Sequence, residues 1–289
     1  APYITTTDLV YSLGRNDLGR YIAITSIASF LGFADQGLAV GVRTRVAELF
    51  SLPDLRSSRE VISSGLVLMG ILASFLVVLG AASSLVVPWS HLLGLGGGRN
   101  YSWIVALFIA LVSFGIMGVI APRALEGIGR SSVVTAAGLA TSGYLIIAVP
   151  LLAIVHASLA AFVLMAACSS WPSLAVCWFA LKRSAEGALR PHIKLGTSAS
   201  LRSVWRSSAP SILISVALSF AYSLDPLLIA HLLGLSATGE YGIAAKISQI
   251  TLLVVTSTTP IMWSHFAGER VTGKDSSATL VRLTSGLAA

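Results

Sequence analysis

The sequence predicts an all-α, polytopic helical membrane protein, and three observations carry that prediction. Of the 289 residues, 55% are hydrophobic and 11% charged, and the mean hydropathy is +0.85; soluble globular proteins carry roughly 25% charged residues. Long stretches hold no charge at all: Glu60 to Arg99, Arg99 to Arg123, Arg130 to Lys182 and Lys246 to Glu269. Each is long enough for the roughly 20 apolar residues of a bilayer-crossing helix. The third observation is the way basic residues alternate between connections.

Seven complete spans follow in order, at about 21–42, 61–86, 103–122, 133–153, 158–181, 209–232 and 240–263. The uncharged run after Arg130 is too long for one helix and divides near His156-Ala157-Ser158 into an antiparallel pair. The connection after the first span holds Arg43, Arg45, Arg56 and Arg59, and the next holds only Arg99. Arg123 and Arg130 follow, then a connection with no basic residue. Lys182, Arg183, Arg190, Lys194, Arg202 and Arg206 precede the sixth span, and the loop 233–239 has none. Arg270, Lys274 and Arg282 close the series. Rich and poor connections alternate throughout, so the positive-inside rule puts the rich ones in the cytoplasm. Residues 1–20 and loops 87–102, 154–157 and 233–239 then face outward.

Trp89 and Trp103 fall at outer ends, and Trp178, Trp205 and Trp263 at inner ends, as interfacial belts require. Residues 184–207 mix basic side chains with Leu195, Leu201, Val204 and Trp205, which suits an amphipathic stretch on the cytoplasmic surface. The formal charge of +7 does not indicate nucleic acid, because the basic residues are spread over loops without interleaved aromatics. Cys168 and Cys177 lie in one apolar segment without metal-ligand spacing and read as small hydrophobes. The glycine run at 94–98 lacks the strand and the Gly-Lys of a phosphate cradle.

A repeat is present. Leu13, Gly14, Gly19 and Tyr21 match Leu233, Gly234, Gly239 and Tyr241 at a constant offset of 220 residues. Both copies stand at outward turns just before a span, which makes the repeat parallel. Six spans per copy implies a protein of roughly 440 residues with about twelve spans. Residues 1–183 are then a first bundle with an incomplete first helix, 184–208 a cytoplasmic connection, and 209–289 the start of a truncated second bundle.

Two blocks carry a family likeness: ADQGLAVGVRTRVAE at 34–48 and SLDPLLIAHLLGLSATGEYGIAAKISQI at 223–250. They resemble the lipid-linked polysaccharide and oligosaccharide flippases of the multidrug/oligosaccharidyl-lipid/polysaccharide exporter superfamily. Gly41 stands near where that family often has alanine or another small residue. The resemblance implies two six-helix bundles around a central cavity with alternating access. It further implies a bacterial cytoplasmic membrane, a polyprenyl-phosphate-type sugar cargo, sugar-polymerising partners and no cofactor beyond a coupling proton or sodium ion.

Ionisable groups inside a span cost about 2.5–3.5 kcal/mol at mid-helix and usually face an aqueous cavity. Asp35 lies about 21 Å from the outer end of its span at 1.5 Å per residue, with Gln36 beside it. Three readings suit it: a helix-to-helix hydrogen bond, a coupling-ion site in the cavity, or a local partner for Arg43 or Arg45. Asp225 and Lys246 sit about 12 Å inside on facing helices and are expected to pair, or to face the cavity with Gln249, where Lys246 meets cargo phosphates. Pro226 frees the Tyr222 carbonyl and predicts a bend beside Asp225; Pro150, Pro172 and Pro260 are also expected to interrupt their spans. Arg43, Arg45 and Arg123 are expected at the cytoplasmic mouth, contacting headgroups or cargo.

The function these features predict is flipping of lipid-linked oligosaccharide. An ion-coupled multidrug or cation antiporter is the alternative in the same superfamily. A membrane-embedded glycosyltransferase or polymerase is a more distant one, because Arg99 is the only charge in the three outer loops. No enzyme activity is expected.

Overall fold

The computed structural model describes residues 2–52, 55–89, 101–184 and 198–245, and among them every regular element is a helix. In order they are α1 (Pro2–Ser51), α2 (Leu55–Val86), α3 (Ser102–Gly118), α4 (Ile120–Gly127), α5 (Ser131–Ile154), α6 (Leu159–Ala167), α7 (Trp171–Arg183) and α8 (Ser198–Leu232). Residues 235–245 are helical again. Among the described residues, four helical units are long and apolar enough to cross a membrane: Leu55–Val86, Ser102–Gly127, Ser131–Ile154 and Leu159–Arg183. The spans expected at 21–42 and 209–232 lie within α1 and α8; the one at 240–263 leaves the described residues after 245.

The predicted turns are where the residues put them. Gly14 breaks α1 into a leading helix and a long span, with φ 70° and ψ 171°. That backbone region is essentially reserved for glycine. Its repeat partner Gly234, at φ 89°, ends the second copy's outer turn in the same way. Gly14→Ala is expected to destabilise the folded protein by about 1–3 kcal/mol, read as a lower thermal midpoint in detergent. The α5–α6 hairpin turns at residues 155–158, with His156 at φ 48°.

Among the described residues two spans are broken, one as expected before Pro172 and one, not expected, before Pro122. Helix α3 ends at Gly118, four residues before Pro122, and α6 gives way to the turn 168–170, four residues before Pro172. Proline cannot donate to the carbonyl four residues back, and its ring crowds that carbonyl. By contrast Pro150 lies inside an uninterrupted α5, and Pro210 and Pro226 inside an uninterrupted α8. Of the connection expected at 184–208, residues 185–197 lie outside the described residues. Residues 198–208 are not a separate surface stretch but the first turns of α8.

Long-range packing centres on α1 against α8. A Cβ on Gly19 would run into the backbone of Leu235, and one on Gly37 would stand 2.6 Å from the Ile212 Cα. On Gly41 it would meet the Ser208 hydroxyl and stand 2.9 Å from the Val204 carbonyl. Glycine at these points lets the two backbones touch. The Ile22 side chain fills the space beside Gly242. Since 242 is 22 shifted by the repeat offset, a position meets its own counterpart, as it does on an axis relating two parallel copies.

One core cluster, around Val42, Val46, Ile62, Met69, Ile120, Leu125, Leu181 and Val204, lies toward the basic ends of the helices. Another, with Ala23, Ile24, Tyr101, Val105, Phe108 and Val163, lies toward the opposite ends. Large apolar side chains of α5, including Leu139, Ile147, Leu151 and Ile154, are exposed, as a lipid-facing helix requires.

Candidate functional site

The basic ends of α1, α4 and α8 converge, and they do so in two distinct arrangements. In the first, Arg43 of α1 donates to the Glu126 carboxylate of α4 at 3.2 Å, and Arg123 donates to both oxygens of the same carboxylate at 3.1 and 3.2 Å. The side chains of Arg43 and Glu126 are 6% and 5% exposed, and that of Arg123 is 22%. Gly127 permits this approach: a Cβ there would stand 2.8 Å from the Arg43 carbonyl. Arg43 is therefore not at an open mouth. Among the described residues it is buried with the Glu126 carboxylate and the Arg123 guanidinium, joining α1 and α4.

The second arrangement is a cavity of about 710 Å³ lined by Arg45, Ala199, Arg202, Ser203, Arg206 and Ser207. Helix α1 supplies Arg45, which also pairs with Glu48 at 2.6 Å. The rest comes from α8, where Arg202-Ser203 and Arg206-Ser207 recur four residues apart and so share a helix face. The close α1–α8 crossing at Gly41 and Ser208 holds the two walls together; the Ser208 hydroxyl lies 3.0 Å from the Leu38 carbonyl and 2.7 Å from the Val204 carbonyl. Among the described residues that line the cavity, none is acidic. Guanidinium forks with neighbouring hydroxyls bind phosphate and carboxylate groups.

Of the other predicted positions, Asp225 has a described side chain, and it is not among the described residues that line the cavity. Asp35 and Gln36 lie on α1, but their side chains are outside the described residues. The acidic partners seen for Arg43 and Arg45 are Glu126 and Glu48. Asp225 is exposed and accepts a hydrogen bond from the Tyr241 hydroxyl at 2.9 Å, across the outer turn. Tyr241 is the tyrosine of the repeat. Lys246 and Gln249 lie outside the described residues, so the expected pairing of Asp225 with Lys246 does too.

Sequence reasoning missed Glu126, Arg202 and Arg206 as site residues. Glu126 had a visible signal in its spacing of three from Arg123. The two arginines had one in the doubled Arg-Ser pair, although they were counted only as markers of topology.

No protein-family model matches the chain, and no curated protein does. Solved structures do. One is an inward-facing multidrug resistance MATE family transporter of the MOP superfamily, at TM-score 0.69 and 12% identity, covering 93% of this chain and 66% of that one. Another, described only as protein A, gives TM-score 0.75 and 13% identity over 98% of this chain and 64% of that one. A third is a MOP superfamily transporter from Pyrococcus furiosus, for which a binding pocket of reversed polarity is said to suggest a different function. It gives TM-score 0.61 and 16% identity over 92% of this chain and 65% of that one. The chain spans just under two-thirds of the length of each structure. Identities this low speak to fold alone, and over that length the chain has the helical membrane fold of MOP superfamily transporters.

Proposed function

We propose that the chain forms part of a transporter that moves lipid-linked oligosaccharide across a membrane, taking its anionic headgroup at the cavity between α1 and α8. The observation that carries this reading is the lining: among the described residues, three arginines and two serines from α1 and α8, with no carboxylate among them. A phosphate-bearing headgroup gains charge-assisted hydrogen bonds there. A cationic drug would meet like charge, which weighs against the antiporter alternative. Position supports the reading as well, since the positive-inside rule puts this end at the cytoplasmic face, where cargo would be loaded.

The test uses full-length protein in proteoliposomes with a fluorescent polyprenyl-diphosphate-linked oligosaccharide. The double variant Arg202→Ala/Arg206→Ala is expected to slow transfer by roughly tenfold or more, since charge-assisted contacts contribute about 1.5–3 kcal/mol each. Inorganic pyrophosphate is expected to compete in the wild type and not in the variant. Unchanged transfer would refute the reading, and ion-coupled efflux of a cationic dye by both proteins would replace it with the antiporter.

A further inference from the structure

A second cavity, of about 360 Å³, shares no residue with the basic one. Leu66 of α2, Phe114 and Met117 of α3, and Trp171, Leu174 and Trp178 of α7 line it. Its depth follows from the helices. At 1.5 Å per residue, Trp178 lies about 6 Å and Trp171 about 16 Å outward of Lys182. Leu66 lies about 10 Å outward of Arg59 on the same count. The slot therefore occupies the cytoplasmic half of a hydrocarbon core about 30 Å thick.

Its shape depends on the two helix breaks. Gly115 and Gly118 place no side chain between α3 and α7: a Cβ on Gly115 would be 3.3 Å from the Trp171 Nε1, and one on Gly118 would be 2.9 Å from the Leu174 Cδ1. Phe114 and Trp171 meet with ring centroids 5.5 Å apart. Phe114 is 64% exposed, so the slot opens toward lipid. Just past the inner end of the slot, Lys182 and Arg183 are exposed, and the Arg183 guanidinium lies 4.0 Å from the centre of the Phe179 ring. An apolar slot in one leaflet, capped by two cations at the headgroup level, matches a single lipid in both polarity and charge.

We propose that this slot binds one acyl chain of an anionic glycerophospholipid of the cytoplasmic leaflet, with the lipid phosphate at Lys182 and Arg183. The occupant differs from the cargo, whose phosphates are assigned to other helices, so the proposal stands independently of the transport reading.

The experiment offers full-length protein, purified in detergent, phosphatidylglycerol and phosphatidylcholine of identical chains, and counts bound lipid by native mass spectrometry. One phosphatidylglycerol is expected per chain, preferred roughly tenfold or more over phosphatidylcholine. Ala175 of α7 also lines the slot, so Ala175→Trp fills it and is expected to reduce retention by a similar factor. Lys182→Gln/Arg183→Gln is expected to keep a lipid but lose the headgroup preference. Should Ala175→Trp not fold, quenching by phosphatidylglycerol with brominated chains reports the same contact. It is expected in the wild type and largely lost in Trp171→Phe/Trp178→Phe. Four results would overturn the proposal: undiminished retention or quenching in these variants, a headgroup preference that survives loss of both cations, a wild type that holds no lipid because the rest of the chain covers the slot, or selective uptake of a polyprenyl phosphate.

Discussion

Glu126→Gln is expected to destabilise the protein by about 3–5 kcal/mol, because it leaves two cations facing each other without their shared anion. The magnitude follows from burial. Arg43 and Glu126 are nearly inaccessible, and Arg123 contributes a second guanidinium to the same carboxylate. Removing one partner of a buried pair costs far more than the pair itself contributes, since desolvated charge remains uncompensated. Thermal and denaturant unfolding in detergent should show the loss. The companion variant Arg43→Met/Arg123→Met/Glu126→Leu removes the whole cluster and is expected to recover most of it. A Glu126→Gln protein as stable as the wild type would show that the cluster is solvated in the membrane-embedded protein.

Gly41→Val is expected to have the second large effect, and to act on both stability and cargo binding. The new side chain would start against the Ser208 hydroxyl and the Val204 carbonyl, where α1 and α8 touch. Overpacking of this kind costs about 1–3 kcal/mol and is relieved by moving backbone. Here that movement separates Arg45 from Arg202 and Arg206, so pyrophosphate binding should weaken more than stability falls. Adding Ser208→Gly removes the side-chain clash but leaves the carbonyl contact, so partial rescue is expected. Full rescue would place the whole conflict in the hydroxyl. Wild-type pyrophosphate affinity in Gly41→Val would separate the crossing from the cavity.

The site was legible unevenly. Arg45 was anticipated at the cytoplasmic end because basic residues there follow from topology, and it does line a polar cavity. Arg43, two residues away, was given the same role, yet a turn of about 200° between them on a helix faces it into protein instead. Periodicity could have separated the two only if the packed face of α1 had been known. Glu126 does not stand out in the sequence as a site residue, because its value lies in a partner 83 residues distant. The prolines predict breaks at Pro150 and Pro172, and only the second is seen. Pro122 and Pro172 coincide with helix breaks, while Pro150 and Pro226 sit in continuous helices. The difference depends on how neighbouring helices hold the backbone, which no single stretch encodes.

Residue order alone was sufficient for the all-helical membrane class, for helices at six of the seven expected spans, and for the glycine turns at Gly14 and Gly234. Those features answer to water, lipid and φ angles, which act on each segment locally. Three-dimensional packing was required for the buried Arg43–Glu126–Arg123 cluster, the three-arginine cavity and the apolar slot. Each joins side chains from separate helices, and their meeting depends on where glycine lets two backbones close to contact.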